Sequence, residues 1–142
     1  MITETFATAQ EAEQAFYQAF ERADLAAMMA VWAEEDDIVC VHPGGARLTG
    51  VVEVRESWRK IFQQGASLRF RLTGSRVFSG RMLSIHSVYE QVSLADDPRP
   101  ANPVLATNIY LLTDRGWRML MHHGSPLAGE PASEENPPSM LH

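Results

Sequence analysis

The spacing of apolar residues changes once along this chain, and that change restricts the folds it can adopt. Before Gly65, apolar residues recur every three or four positions, as on one face of a helix. From Leu68, Phe70 and Leu72 onward they alternate with polar residues, as in a strand. Helices followed by consecutive strands predict an α+β fold, in which three N-terminal helices pack against a strongly curved antiparallel sheet.

Local signals divide the first half into three helices and one strand. Thr8 and Glu11 have the spacing of a capping box ahead of the first helix. Asp24 is a suitable cap for a second helix, and a third begins at Gly50. The apolar run from Ile38 to His42 predicts a strand that the sequence "PGG" then breaks.

The second half predicts an antiparallel meander within a single domain over residues 1–127. A short hairpin loop at 114–116 joins the last two strands, and the proline-rich stretch 96–103 predicts an exposed loop. Residues 128–142 predict a poorly ordered acidic, proline-rich tail. The predicted strands are 68–73, 82–94, 104–113 and 117–123.

Composition restricts the compartment and the partners. The 142 residues include 12 basic and 18 acidic side chains, so the net charge of -6 disfavours nucleic acid. The amino terminus has no signal-peptide pattern and no apolar run is long enough to span a membrane, so we expect a cytoplasmic protein without a membrane partner. Cys40 is the only cysteine, which rules out an intrachain disulfide and a thiolate zinc cage.

The last two strands carry apolar residues on both faces. Because the helices can cover only one face, we expect a second copy to cover the other, which predicts a homodimer through the sheet. Alternation along the final strand predicts that His122 faces the helices together with Asn108, and that His123 faces outward. It also predicts an outward row of odd positions, formed by Ile109, Leu111, Trp117, Met119, Met121 and His123.

Several polar side chains lie within runs that should be buried. Burying them without partners would cost about 1–3 kcal/mol each, so a shared polar pocket is the simplest explanation. They are Cys40, His42, Ser84, His86, Glu90, Asn108, Tyr110 and His122.

Four stretches of sequence resemble the SnoaL-like branch of the nuclear transport factor 2-like superfamily. They are "VHPGG", "VRESWRKIF", "ATNIYLL" and "GWRMLMHHGSP", and the resemblance extends over about residues 8–127. It implies a cone-shaped fold with an internal cavity, and dimers are usual in this superfamily. Its members include ketosteroid isomerases, polyketide cyclases and dehydratases as well as non-catalytic association domains, so the fold alone does not determine an activity.

The same resemblance places His42 where the isomerases carry their general base, an aspartate preceding a proline. The tyrosine of the isomerase oxyanion hole, a worked example of acid-base tuning, falls at Phe16 in this chain. The acid of that oxyanion hole falls near residues 106–108, where the chain has no carboxylate. Steroid isomerisation is therefore disfavoured.

These observations give a set of candidate site residues. His42 is the candidate general base and Glu90 a second acid or base, because burial would raise its pKa. Asn108, Tyr110 and His122 could donate hydrogen bonds to a ligand oxygen, and His86 lies on the same face. The aromatic residues Trp32, Trp58 and Phe62 could form an apolar wall. For each residue the alternative is a structural role, and we expect neither a metal nor a cofactor.

Two functional hypotheses remain at this stage. The first is a small-molecule pocket protein that acts as a cofactor-independent isomerase, cyclase or dehydratase on an apolar or carbonyl-containing substrate. The alternative is a non-catalytic homodimer that binds a ligand or serves as an association module.

Overall fold

The structure, a computed structural model, describes residues 5–97, 99 and 102–127. The predicted tail at 128–142 and three positions of the predicted 96–103 loop lie outside this range. The elements are α1 (Ala9–Arg22), α2 (Leu25–Val31), β1 (Val39–Val41), β2 (Arg47–Thr49), α3 (Gly50–Gln63), β3 (Leu68–Ser79), β4 (Leu83–Leu94), β5 (Val104–Thr113) and β6 (Gly116–Pro126).

The predicted helix caps are confirmed. The Thr8 side chain accepts a 3.0 Å hydrogen bond from the Glu11 backbone N–H, and the Asp24 carboxylate accepts one of 3.0 Å from Ala27. Each bond satisfies a donor that the first turn of a helix leaves without an intrahelical acceptor. Ala23 joins α1 to α2 in a left-handed conformation, with φ of 52°.

The six strands form one open sheet in the order β2-β1-β6-β5-β4-β3, which confirms the α+β fold. All neighbours are antiparallel except β1 and β6, which pair in parallel. The sequence predicted neither this parallel pair nor the short strand β2. The strand β2 arises because the turn after His42 sends the chain back along β1 for three residues before α3 begins.

The strand register places one row of side chains beneath the helices and another on the outer face. His86, Asn108, His122 and Cys40 are successive partners across β4, β5, β6 and β1, and all four are buried. The next row, on the outer face, is apolar and consists of Phe78, Ile85, Ile109 and Met121. The predicted alternation of faces is therefore confirmed at this level of the sheet.

Two face assignments were wrong, those of Trp117 and Met119. Leu120 is an extra residue in β6, because Ile109 pairs with Met121 whereas the next residue, Tyr110, pairs with Met119. Such a bulge reverses the alternation. Met119 consequently faces inward and is fully buried, rather than lying on the outer face with Met121.

The core lies between the inner face of the sheet and the three helices. Phe16, Met28, Val54 and Trp58 from the helices are fully buried there. No helix in the described part of the chain has the length and apolar character needed to cross a membrane.

Candidate functional site

A carboxyl group is buried beneath α1. Glu90 on β4 is only 3% exposed, and its Oε2 atom accepts a 2.6 Å hydrogen bond from the Tyr17 hydroxyl. The pKa of Glu90 is raised from 4.5 to about 7, mainly by burial and also by the nearby Glu13, while the Tyr17 hydrogen bond opposes both. The carboxyl group therefore has a pKa near neutral pH.

Asn108 connects Glu90 to the histidine row. Its Nδ2 donates a 2.9 Å hydrogen bond to the Tyr17 hydroxyl oxygen, and its Oδ1 lies 2.6 Å from Nδ1 of His122. Because Oδ1 can only accept, the His122 proton is on Nδ1. Asn108 uses both ends of its amide in this way and fixes the orientation of two neighbouring side chains.

Glu13 on α1 contacts three further side chains of the network. Its Oε2 accepts from Tyr110 at 3.2 Å and from Nδ2 of Asn108 at 3.3 Å. Nδ1 of His86 lies 3.1 Å from the same oxygen, although the two atoms are not aligned for a hydrogen bond. Nε2 of His86 lies 2.8 Å from the Ser84 hydroxyl. Glu13 therefore contacts side chains from two strands.

Burial keeps His122 neutral. Desolvation lowers its pKa to about 3, and the positive forms of His42 and His123 would lower it further. The ring packs 4.9 Å from that of Phe16 and 6.3 Å from that of Trp58. His122 is consequently a neutral hydrogen-bonding group and cannot serve as a proton carrier at neutral pH.

His42 lies apart from the Glu90 network. Its ring packs edge-on against Trp58 at 4.8 Å, and Nε2 lies 3.0 Å from the Ser57 hydroxyl. Ser57 gives its only hydroxyl proton to the Val54 carbonyl at 2.7 Å, so Nε2 of His42 must donate to Ser57. The basic lone pair is then on Nδ1, and desolvation lowers the pKa of the imidazole. In the "PGG" turn the backbone N–H of Gly45 donates a hydrogen bond to the His42 carbonyl oxygen, so the turn is held by the backbone of His42 and not by its ring.

Cys40 contacts His42 without forming a reactive pair. Its Sγ lies 3.6 Å from Nε2 of His42, but burial raises the pKa of the thiol to about 12. The group therefore stays a neutral thiol, as its placement inside the strand suggested.

The three aromatic residues predicted to form a wall do not lie together. Trp58 and Phe62 are in ring contact at 5.6 Å, within an aromatic cluster that includes Phe16 and Phe20. Trp32 instead lies at the end of α2, where its backbone pairs with that of Met119. In the described part of the chain it makes no ring contact with that cluster. Only Trp58 and Phe62 could therefore line one surface together.

A groove between α1 and β3 leads from solvent to the Glu90 network. It encloses about 420 Å³, with the polar residues Glu13 and Tyr17 on one side and the apolar residues Phe70 and Leu72 on the other. We call it the α1–β3 groove. Tyr17 lines the groove and bonds Glu90, so a molecule bound here would be separated from Glu90 by one hydroxyl group.

The structure joins five of the predicted site residues in one network: His86, Glu90, Asn108, Tyr110 and His122. The sequence analysis missed Glu13 and Tyr17, which connect them. A signal was present, because the two residues are four positions apart on α1 among buried apolar residues, and so share its inner side. His42 and Trp32 lie outside the network.

This arrangement can bind an oxygen-bearing molecule and exchange a proton with it. Tyr17 supplies a hydroxyl group at the groove, and Glu90 behind it supplies a carboxyl group with a pKa near neutrality. In the described part of the chain, no cluster of three or more His, Cys, Asp or Glu side chains has a geometry suited to a metal ion.

Comparison with known protein families supports the fold and the resemblance to the SnoaL-like branch. The model of the SnoaL-like domain family matches residues 10–129. The F-box protein SKIP8 of Arabidopsis thaliana is 27% identical over 103 residues, which are 71% of this chain and 42% of that protein. The chain thus spans less than half the length of this relative.

Two solved structures are similar over most of their length. One, from Thiobacillus denitrificans, is provisionally described as a calcium/calmodulin-dependent protein kinase type II association domain. It is 38% identical with a TM-score of 0.83, over 88% of this chain and 99% of that one. The other, from Streptomyces avermitilis, is provisionally described as a dehydratase of the NTF2-like family. It is 28% identical with a TM-score of 0.76, over 85% of this chain and 94% of that one.

Proposed function

This chain belongs to the SnoaL-like domain family, and from that premise we propose that it binds a small carbonyl-containing molecule and catalyses proton transfer on it without a cofactor. The reaction class is isomerisation, cyclisation or dehydration. The observation that carries the proposal is the buried Glu90 carboxyl with a pKa of about 7, bonded to the Tyr17 hydroxyl that lines the α1–β3 groove.

The proposed ligand lies in the α1–β3 groove. Its apolar part contacts Phe70 and Leu72, and its oxygen faces Tyr17. Mixed walls of this kind are typical of small-molecule sites, in which apolar surface gives affinity and a few polar groups fix orientation. The similarity to a structure described as a dehydratase is consistent with this class of reaction.

Glu90 is the proposed proton carrier. A group with a pKa near the working pH is available in both protonation states, which general acid-base catalysis requires. The Tyr17 hydroxyl lies between the groove and Glu90, so it relays the proton by donating to one oxygen while accepting from another. Burial raises the pKa of Tyr17 well above 10, which keeps the phenol neutral throughout.

His42 is proposed as a second acid-base group. Its imidazole is neutral at pH 7 because burial lowers its pKa, and its lone pair is on Nδ1. It lies beside Trp58 and Ser57 and does not line the α1–β3 groove, so it would act on a ligand that enters from the Trp58 side. Asn108, Tyr110, His86 and His122 hold the orientation of these groups.

The test begins with a thermal-shift screen of apolar keto, hydroxy and carboxylic compounds, followed by turnover assays on those that bind. We expect at least one binder to be converted, and Glu90→Gln to lower the rate by about 10²–10⁴. Glu35→Gln, at an exposed position, is the matched control and keeps full activity. Binding without conversion, or full activity in Glu90→Gln, contradicts the proposal.

A non-catalytic assembly role is the second candidate, and one observation favours it. The outer face of the sheet exposes Phe78 (66%), Met82 (58%), Leu83 (40%) and Ile85 (39%). We call this the outer apolar strip. A second copy of this chain would bury it, and the similarity to a structure described as an association domain supports the same use.

Light scattering over a range of concentrations tests the assembly. We expect a dimer that Ile85→Lys converts to a monomer, because a charge at the centre of an apolar interface is costly to bury. Gln63→Lys at the end of α3 is the control and leaves the dimer intact. A monomer at all concentrations rules out this use of the strip.

A further inference from the structure

Ser84, His86 and Glu13 form a line of three groups. The Ser84 hydroxyl lies 2.8 Å from Nε2 of His86, closer than the 3.3 Å to its other acceptor, the Phe78 carbonyl oxygen, and Nδ1 of His86 lies 3.1 Å from Oε2 of Glu13. Ser84 and His86 are two positions apart on β4, so alternation places both on the inner face, and α1 brings Glu13 to the far side of the imidazole. A serine, an imidazole and a carboxylate in this order are the parts of an activated nucleophile.

Ser84 also lines a second groove, distinct from the α1–β3 groove. This groove encloses about 200 Å³ beside the start of α1, with Trp117 and Ala9 among its apolar residues and Ser79 at its edge. We call it the α1 N-terminal groove. Its volume and apolar lining fit a short aliphatic acyl group better than a long chain.

The start of α1 supplies a means of stabilising negative charge next to Ser84. Ala9 and Gln10 occupy the first turn of α1 and line the groove, and helix geometry leaves their backbone N–H groups without intrahelical acceptors. Such groups stabilise an oxyanion formed nearby. The nucleophile and the oxyanion donors therefore border the same groove, and the base His86 lies behind Ser84, 2.8 Å from its hydroxyl.

We propose that Ser84 is a nucleophile that accepts a short acyl group from an ester. Its Oγ attacks the carbonyl carbon and gives its proton to Nε2 of His86. The bond from that carbon to the alcohol oxygen then breaks, and the leaving alkoxide takes the proton from His86. Water, deprotonated by the same imidazole, attacks the Ser84 ester. The bond from the acyl carbon to Oγ breaks, the imidazole returns the proton to Oγ, and the carboxylic acid is released. Glu13 acts as a positioning residue through its charge, since its Oε2 lies 3.1 Å from Nδ1 of His86 without the alignment of a hydrogen bond.

This activity goes beyond the proton-transfer function and does not depend on it. The reacting Oγ of Ser84 is in the α1 N-terminal groove with His86 behind it, whereas the proton transfer uses Glu90 and Tyr17 at the α1–β3 groove. Glu90→Gln therefore leaves the acyl transfer intact. Loss of one activity without the other distinguishes the two proposals.

The experiment incubates the protein with p-nitrophenyl acetate and follows release of p-nitrophenol and the mass of the intact chain. We expect a burst of p-nitrophenol and a mass increase of one acetyl group, which peptide mapping assigns to Ser84. Ser84→Ala abolishes both, and Ser79→Ala, at the exposed serine of the same groove, retains both. His86→Gln slows the burst by about 10². Glu13→Gln also slows it, and Glu13→Asp restores part of the rate.

A second nucleophile variant keeps the test decisive if Ser84→Ala folds poorly. Ser84→Cys retains a nucleophile of similar size, so the acetyl group should move to the thiol at the same position. An acetyl group on any other residue, an unchanged burst in Ser84→Ala, or no acetylation of the folded wild-type protein overturns the proposal.

Discussion

The Tyr17 hydroxyl donates a 2.6 Å hydrogen bond to the Glu90 carboxylate across 73 positions of the sequence. It joins the first helix to the middle of the sheet at a point where both side chains are at most 5% exposed. Burial of this pair keeps Glu90 near its protonation midpoint at neutral pH. The bond is therefore at once a tertiary contact and the centre of the proposed chemistry.

Stability should fall as pH rises through neutrality, because of Glu90. Its pKa is raised from 4.5 to about 7 on folding, so between these values the folded state holds more protons than the unfolded state. Glu90→Gln removes this dependence. Its free energy of unfolding exceeds that of the wild type by up to about 3 kcal/mol at pH 8 and differs little from it below pH 4.5. Urea unfolding at pH 4.5 and 8 measures the difference, and an equal effect at both pH values contradicts the assignment.

Tyr17→Phe should destabilise the fold and shift the protonation of Glu90. The variant removes the donor to Glu90 and the acceptor for Asn108, at a cost of about 1–3 kcal/mol. Because the Tyr17 hydrogen bond holds the pKa of Glu90 down, that pKa rises further, and any activity that depends on Glu90 moves to higher pH. Tyr89→Phe on the outer face is the control and leaves the pH profile unchanged.

His122 should make the protein less stable in mild acid. Burial lowers its pKa from 6.5 to about 3, so below pH 6.5 the unfolded state binds a proton that the folded state does not. The contribution of His122 to the free energy of unfolding falls by about 2 kcal/mol as the pH drops from 6.5 to 5, whereas that of Glu90 rises over the same range. His122→Gln abolishes this loss in urea unfolding, whereas His123→Gln, at an exposed position, retains it.

Cys40 should be inert in the folded protein. Its thiol is buried and its pKa is raised to about 12, so at pH 8 the reactive thiolate is about 10³-fold less abundant than in the unfolded chain. We expect an aromatic disulfide reagent to label it only after denaturation. Rapid labelling of the native protein would mean that the thiol is accessible and ionised.

His42→Ala should separate a catalytic role from a structural one. If His42 acts on the ligand, turnover falls by about 10²–10⁴ while the melting temperature changes little. Ser57→Ala removes the partner that fixes the tautomer and gives a smaller loss of rate. A variant that loses stability but retains turnover would assign His42 a structural role.

Local patterns in the sequence were sufficient for most of the elements. The caps Thr8 and Asp24, the start of α3 at Gly50 and the strand β5 agree with the structure because they depend on neighbours within a few residues. Alternation also predicted that Asn108 and His122 share the inner face. It failed at Met119, because a bulge is decided by pairing with another strand.

The candidate site could be predicted only in part, since alternation identifies a face but not the contacts on it. It selected Glu90, Asn108 and His122, yet the residues that join them, Glu13 and Tyr17, come from a helix some 70 to 95 positions away in the chain. It also grouped Trp32 with Trp58, which the structure separates.

The sequence by itself determined the α+β class, the starts of the helices and most of the inward-facing residues, because these follow from spacing along the chain and from local hydrogen bonds. Only the tertiary structure decided the parallel pairing of β1 with β6, the network around Tyr17 and the protonation of Glu90. The physical reason is that burial and long-range hydrogen bonds set the energy of a charged group, and both depend on which distant segments pack against it.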